Sequence, residues 1–165
     1  MKTPENIMAA FAGESQANRK YLAFAEDAEK DGFVGIARLF RAAAEGETIH
    51  ALKHLKNSGK IGTTQQNVKA ALEGETYEFT FMYPEFLAVA QDEGQNDAYK
   101  SFYLANEAEK SHAELYQKAL DSLAGGTDYQ ANSVYLCPVC GYLSENNAPE
   151  RCPVCGTAGS LFKKF

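Results

Sequence analysis

The stretch Glu47-Thr48-Ile49-His50 places a carboxylate and an imidazole three positions apart, and Glu109-Lys110-Ser111-His112 repeats this pattern later in the chain. Residues three positions apart lie on the same face of a helix, so both side chains of each pair can reach one metal ion. Two such helices, with one glutamate from each of two further helices, supply the ligands of a dinuclear carboxylate site in a four-helix bundle. The sequence therefore predicts a buried two-metal site in a helical bundle.

Two further helical stretches carry the remaining glutamates, in Gly13-Glu14 and in Gly74-Glu75-Thr76-Tyr77-Glu78. Glu14 precedes Glu47 by 33 residues, and the corresponding glutamates of the second half are 34 residues apart. Each pair spans a glycine-containing turn, so the ligands of each helical hairpin are expected at similar heights. The predicted ligands of the two-metal site are Glu14, Glu47, His50, Glu75, Glu78, Glu109 and His112.

The charge of this ligand set favours metal binding over a structural role. Five glutamates would face only two histidines, and burying even one unpaired carboxylate costs several kcal/mol. A mixed carboxylate and imidazole set suits iron or manganese, whereas zinc usually takes four ligands. The alternative is a solvated acidic stripe, which would also expose the neighbouring side chains of Ile49, Leu52, Leu72 and Phe79.

Three smaller features lie close to the predicted ligands. Glycines precede three of the glutamates (Gly13, Gly46 and Gly74). Glycine inside a helix costs about 1 kcal/mol relative to alanine, so we expect that larger side chains are not tolerated at these positions. The alternative is that the glycines occur there by chance. Tyr21 either bonds a ligand carboxylate or packs in the core. We expect His54 to be a polar outer residue or to support a ligand, without binding metal itself.

Capping and turn signals predict four helices before residue 126. Thr3 is expected to cap the first helix, with Pro4 in its first turn. The predicted helices run from Thr3-Pro4 to Lys30, from about Val34 to Asn57, from Thr63 or Thr64 to Asp92, and from about Asp97 to Leu123. Pro84 is expected to kink the third helix because proline removes one helical hydrogen bond.

All four cysteines lie near the end of the chain, in two Cys-Pro-Val-Cys-Gly motifs formed by Cys137, Cys140, Cys152 and Cys155. Such motifs bring four thiolates to one tetrahedral site that holds iron or zinc. A module this short needs its metal to fold. The predicted domains are a four-helix bundle over residues 1–126, a polar linker over 127–133 and a small cysteine-containing metal domain over 134–165; the family resemblance described below implies that they are a ferritin-like bundle and a rubredoxin-like domain.

Composition limits the location and partners of the 165-residue chain. Its net charge is −6 and its pI is near 5.1, so we expect no nucleic-acid partner. The sequence has no apolar run of about 18 residues, which argues against a membrane span. No signal peptide is recognised at its start. Paired cysteines of metal-binding spacing predict a cytoplasmic location.

Together, these motifs resemble the rubrerythrin family. The resemblance rests on Gly13-Glu14-Ser15-Gln16-Ala17, the two Glu-x-x-His pairs, Gly74-Glu75-x-x-Glu78 with Met82-Tyr83-Pro84, and the rubredoxin-like cysteine motifs. It implies a ferritin-like di-iron bundle joined to a mononuclear iron centre. It further implies that Glu14 and Glu75 are terminal ligands and that Glu47 and Glu109 bridge the two irons. By the same resemblance, His50 and Glu78 exchange at one iron on oxidation, which makes them the expected catalytic residues.

The activity implied by this resemblance is the reduction of hydrogen peroxide to water, with electrons entering through the cysteine-bound iron. One alternative is an oxygen reductase or ferroxidase. Another is an iron-binding or storage protein with a structural zinc ribbon. The chain contains no dinucleotide-binding fingerprint, so an external electron donor is expected.

The connection between the second and third helices predicts a homodimer. In a ferritin-like bundle these helices run parallel, joined by a long crossover that must return about 33 Å here. The six steps from Ser58 to Thr64 span only about 20–22 Å. Either the bundle has a simple up-down-up-down topology, or two chains exchange helical hairpins. The resemblance to ferritin-like proteins favours the exchanged dimer.

Overall fold

The computed structural model describes all residues, 1–165, and they form two compact units, Met1–Gly62 and Thr63–Phe165. The first unit is a hairpin of α1 (Thr3–Lys30) and α2 (Val34–Asn57). The second contains α3 (Thr64–Tyr77), a π-helical turn (Glu78–Met82), α4 (Tyr83–Asp92) and α5 (Asn96–Ala124). A small sheet follows, made of β1 (Val134–Leu136), β2 (Leu143–Glu145) and β3 (Lys163–Lys164). The predicted fold class is confirmed: the chain is mainly helical and ends in a small cysteine-containing domain.

Small residues form the contact between α1 and α2. Ala37, Ala44 and Ala51 are buried on α2 at intervals of seven residues, a spacing that keeps them on one side of the helix. On α1, the buried Asn18 donates from Nδ2 to the Ala44 carbonyl (2.7 Å) and to Oγ1 of Thr48 (2.8 Å). This short-range packing and the two hydrogen bonds fix the register of the hairpin.

The structure confirms one predicted helix cap and corrects another. Thr63 caps α3 as predicted, because its hydroxyl accepts from the Gln66 amide while the Gln66 side chain accepts from the Thr63 amide. The prediction that Thr3 caps α1 is wrong by one residue. The Lys2 carbonyl already accepts the first helical bond, from the Asn6 amide (3.0 Å), so Thr3 is itself helical.

The third predicted helix is interrupted close to Pro84. The backbone changes to a π-helical turn at Glu78–Met82, and the Tyr83 amide donates to the Glu78 carbonyl five residues earlier. Pro84 has no N–H, and its ring collides with the carbonyl four residues back in a regular α-helix. The wider π turn removes this conflict, and it lies directly beside the predicted ligands Glu75 and Glu78.

In the C-terminal domain, β1 is the central strand of an antiparallel sheet with the order β2-β1-β3. The domain packs on α5 within the second unit. Glu145 at the end of β2 accepts from Nζ of Lys118 on α5 (2.9 Å) and from the Tyr129 hydroxyl (2.6 Å). These bonds tie the sheet to the helix that carries Glu109 and His112.

The buried apolar core of the chain consists only of alanine and cysteine side chains. Larger apolar residues stay partly exposed, including Leu39 (69 %) and Ile49 (55 %). The expectation that Ile49 and Leu52 are buried is therefore not met, because a hairpin of two helices buries only the sides that face each other. No helix combines the length and hydrophobicity that crossing a membrane requires.

Candidate metal centres

The first unit brings three of the predicted ligands together, with Glu14 on α1 and Glu47 and His50 on α2. Their ligand atoms all lie within 4.8 Å of one another. Nδ1 of His50 is 3.1 Å from Oε2 of Glu47 and 3.8 Å from Oε1 of Glu14. The Glu47–His50 spacing places both side chains on one face of α2, and the hairpin turn brings Glu14 to the same height.

The second unit repeats this arrangement with Glu75 on α3 and Glu109 and His112 on α5. The three ligand atoms again lie within 4.8 Å of one another. Nδ1 of His112 is 2.7 Å from Oε2 of Glu109 and 3.5 Å from Oε1 of Glu75. Each unit thus holds two carboxylates and one imidazole, and the two clusters together contain six of the seven predicted ligands, all except Glu78.

Crowding of the carboxylates perturbs their protonation in both clusters. Hydrogen bonding to Glu47 raises the pKa of Glu14, whereas the same bond lowers the pKa of Glu47. In the second cluster, burial and the neighbouring Glu109 raise the pKa of Glu75 to about 7. In each cluster the two carboxylates repel one another, and a divalent metal ion would offset that repulsion. The donor set fits iron or manganese.

Both ring nitrogens of His112 have a polar partner. Burial opposes its ionisation, but hydrogen bonds to Glu109 and to the Gly141 carbonyl, with the charges of Glu109 and Glu75, raise its pKa to about 9. Its Nε2 lies 2.9 Å from the Gly141 carbonyl oxygen. Sequence reasoning did not find this bond, since the partners are 29 positions apart and nothing between them signals the contact.

The other predicted residues take separate places. Glu78 lies outside the three-residue cluster on the π turn, and burial and the charge of Glu109 raise its pKa. Tyr21 packs against Phe40, with ring centroids 6.0 Å apart, and belongs to an aromatic cluster. Tyr83 is instead the tyrosine near the second cluster, because burial and the charges of Glu109, Glu78 and Glu75 raise its pKa. His54 belongs to neither cluster.

The four cysteines converge on one point in the C-terminal domain. Their sulfur atoms lie within 4.8 Å of one another, with Cys137–Cys155 and Cys140–Cys152 sulfur distances of 3.5 Å. A tetrahedral metal with bonds of about 2.3 Å places its sulfurs about 3.8 Å apart, so the arrangement fits a metal ion. Burial opposes ionisation of Cys155, but hydrogen bonds from Thr157 lower its pKa to about 6. A thiolate, the form that binds metal, is therefore present at neutral pH.

The pKa values predict how metal binding by the second cluster depends on pH. Binding must displace protons from Glu75 (pKa about 7) and His112 (pKa about 9), so the apparent affinity for Mn(II) should rise from pH 6 to 9 and level off above. Titrations of the metal-free chain, with free Mn(II) followed by electron paramagnetic resonance, would measure this rise. His54→Gln should keep the same dependence. An affinity that does not change between pH 7 and 9 would contradict the assignment.

Comparisons with known proteins identify two family models along the chain. The Rubrerythrin model matches residues 5–120, which is more than half of the chain. A second model, described as "Rubrerythrin, rubredoxin-like domain", matches residues 135–163. The two matched stretches contain the carboxylate and histidine clusters and the four cysteines, respectively.

Several relatives resemble the chain over nearly its full length. Rubrerythrin-2 of Clostridium acetobutylicum is 37% identical over 99% of this chain and 96% of its own length. Nigerythrin of Nitratidesulfovibrio vulgaris is 38% identical over 99% of this chain and 86% of the relative. Among solved structures, the partially reduced state of nigerythrin has a TM-score of 0.60, with 34% identity over 99% of this chain and 86% of that chain.

The sequence resemblance is confirmed by these matches. The carboxylate clusters are those of a di-iron carboxylate protein, and the four cysteines form a rubredoxin-like site. Both kinds of site serve redox chemistry in this family, which links the protein to the response to oxidative stress. The chain belongs to the rubrerythrin family of oxidoreductases.

Proposed function

We propose that the protein is a non-haem di-iron peroxidase that reduces hydrogen peroxide to water. The observation that carries this proposal is the His112–Gly141 hydrogen bond, which joins the second carboxylate cluster to the residue that follows Cys140. A two-metal site beside a one-electron centre is the arrangement expected of a protein that accepts single electrons and delivers two. Iron storage requires no such connection.

The proposed reaction consumes one hydrogen peroxide, two electrons and two protons and yields two water molecules. When bound, two ferrous ions supply one electron each. The seven predicted ligands would hold and orient these ions, with Glu14 and Glu75 in the terminal role and Glu47 and Glu109 in the shared role that the family resemblance implies. The four cysteines would hold the iron that accepts electrons from an external donor. We also propose that the protein is cytoplasmic. The proposed domains span residues 1–126 and 134–165, with a linker over 127–133.

Glu78 and His50 are suited to exchange as ligands. Burial and the charge of Glu109 raise the pKa of Glu78, and its carboxylate would be available as a further ligand beside the three-residue cluster. The side chain of His50 is 56 % exposed, compared with 20 % for His112, and no hydrogen bond within the chain holds its Nε2. His112, in contrast, is fixed by Gly141. His50 is therefore the histidine that can leave a metal at low cost.

Stopped-flow kinetics test the peroxidase proposal. The anaerobic diferrous protein is mixed with hydrogen peroxide or with oxygen, and we expect faster oxidation by peroxide. Much faster oxidation by oxygen would overturn the proposal in favour of an oxygen reductase or ferroxidase. Absorption bands from thiolate-to-iron charge transfer are expected after anaerobic iron loading. Their absence would favour a storage protein with a zinc ribbon.

Replacing Glu78 tests the ligand exchange. Glu78→Ala should leave the iron content nearly unchanged, because other ligands remain, and should slow peroxide turnover by about tenfold or more. Glu73→Ala is a matched control, since Glu73 is an exposed glutamate of α3 paired with Lys69. Iron content and turnover are measured on the same samples. Loss of both irons would contradict an exchanging role, and unchanged turnover would make Glu78 a bystander.

We further propose that each complete site combines α1 and α2 of one chain with α3, α4 and α5 of a second chain. The observed helix ends leave seven steps from Asn57 to Thr64, which reach about 23–25 Å when fully extended. In a ferritin-like arrangement the second and third helices run parallel. The connector must then span the combined axial length from Glu47 to Asn57 and from Thr64 to Glu75, which is about 32 Å. The connector is therefore too short to close a ferritin-like bundle within one chain.

Both units have surfaces that need a partner. The first unit exposes a set of large apolar side chains: Leu22, Phe24, Ile36, Leu39, Ile49 and Leu52. The second unit has an apolar groove of about 510 Å³ lined by Phe86, Val89, Ala90 and Phe102, among others. A Cβ added at Gly13, Gly46 or Gly74 would meet no atom within 4 Å. If these glycines permit a close approach, the approaching helix comes from outside their own unit.

Complementation decides between exchanged and self-contained hairpins. Glu47→Ala and Glu109→Ala each damage every site in their own dimers, so both should be inactive alone. An exchanged heterodimer of the two would contain one site with both changes and one intact site. Co-refolding should therefore restore peroxidase activity, up to about half of the wild-type value per dimer if the two sites act independently. Mixed dimers that remain inactive would show that the hairpins are not shared.

A further inference from the structure

The imidazole of His112 connects the two kinds of metal site. Its Nδ1 faces Glu109 (2.7 Å) and its Nε2 lies 2.9 Å from the Gly141 carbonyl oxygen. A carbonyl can only accept a hydrogen bond, so Nε2 carries the hydrogen. In the neutral imidazole this leaves the lone pair on Nδ1, which is the atom that faces the cluster. The backbone next to Cys140 thus selects the metal-binding tautomer of His112.

Contacts on both sides of this bond hold the Gly141–Glu145 segment against α5. Ser111 is buried, and its hydroxyl donates to the Ala108 carbonyl (2.6 Å) while it accepts from the Leu143 amide (3.1 Å). At the other end, Glu145 accepts from Lys118 (2.9 Å). The position of the Gly141 carbonyl is therefore set by how the segment is docked on α5.

The cysteine-bound metal controls whether this segment has a defined structure. The C-terminal domain has three strands of two or three residues each, and its only fully buried large side chain is Cys137. A domain with so little buried apolar surface gains its folding free energy from metal binding. Without metal at the four cysteines, the Gly141 carbonyl loses the support that keeps it at His112.

We propose that metal binding by the four cysteines and metal binding by the Glu75, Glu109 and His112 cluster are thermodynamically coupled. Ordering of the cysteine domain orients His112 and so increases the metal affinity of the cluster, with Ser111 as the positioning residue. Partners that orient a metal-binding histidine typically change metal affinity by about 10–100-fold. Coupling of this kind is reciprocal, so an occupied cluster strengthens binding at the cysteines by the same factor.

The coupling rests on the proposed metal sites but does not depend on peroxidase activity, and its test measures affinity. Mn(II) serves as the probe for the cluster, because carboxylates and imidazole suit it better than thiolates do. Cd(II), a soft ion, loads the cysteines, and its thiolate absorption counts the filled sites. We expect the full-length chain to bind Mn(II) about tenfold or more tightly when Cd(II) is present at the cysteines. Equal Mn(II) affinity in both states would overturn the proposal without involving any mutation.

A pair of serine variants then tests the positioning role. Ser111→Ala should still bind one Cd(II) per chain but should lose most of the gain in Mn(II) affinity. Ser101→Ala, an exposed serine on the same helix, should keep the full gain. A full gain in Ser111→Ala would overturn the role of Ser111. If no Mn(II) binds in any state, both the two-metal site and the coupling are wrong. If only the peroxidase proposal is wrong, the Mn(II) affinities still show the coupling.

Discussion

The electrostatic repulsion between carboxylates is the constraint on which the helical part of the molecule depends. Each unit holds two glutamates and a histidine with their ligand atoms within 4.8 Å. The hydrogen bond between Glu14 and Glu47 raises the pKa of Glu14 and lowers the pKa of Glu47, as expected for two carboxylates held close together. Metal ions would offset this repulsion, and their charge would turn an unfavourable arrangement into a binding site.

The packing of the helices is subordinate to that arrangement. Alanines and one asparagine bring α1 and α2 close together, whereas most large apolar side chains lie on surfaces that remain partly exposed in the single chain. A hairpin built in this way has its ligands in place but has only half of a hydrophobic core. The connector after Asn57 is shorter than the return that a ferritin-like closure within one chain requires. The proposed exchange of hairpins would complete the core and the metal site together.

The cysteine domain supports the second carboxylate cluster through a direct contact within the same unit. It contributes no metal ligand to the carboxylate cluster, yet its Gly141 carbonyl sets the orientation of His112. The first half has no equivalent, and His50 is correspondingly more exposed. This asymmetry distinguishes a histidine held at both ring nitrogens from one held at Nδ1 alone, although the Glu-x-x-His motifs that contain them have the same spacing.

The sequence alone determined the four helical stretches, the candidate ligand types and the cysteine motifs, because helical spacing and Cys-x-x-Cys spacing are local properties. It also indicated the short connector, which follows from chain length. The tertiary structure decided features that depend on contacts between distant residues. These include the π turn before Pro84, the placement of Tyr83 near the second cluster, and the partial exposure of Ile49 and Leu52. The contact between Gly141 and His112 joins residues 29 positions apart, and only packing of the C-terminal domain on α5 brings them together.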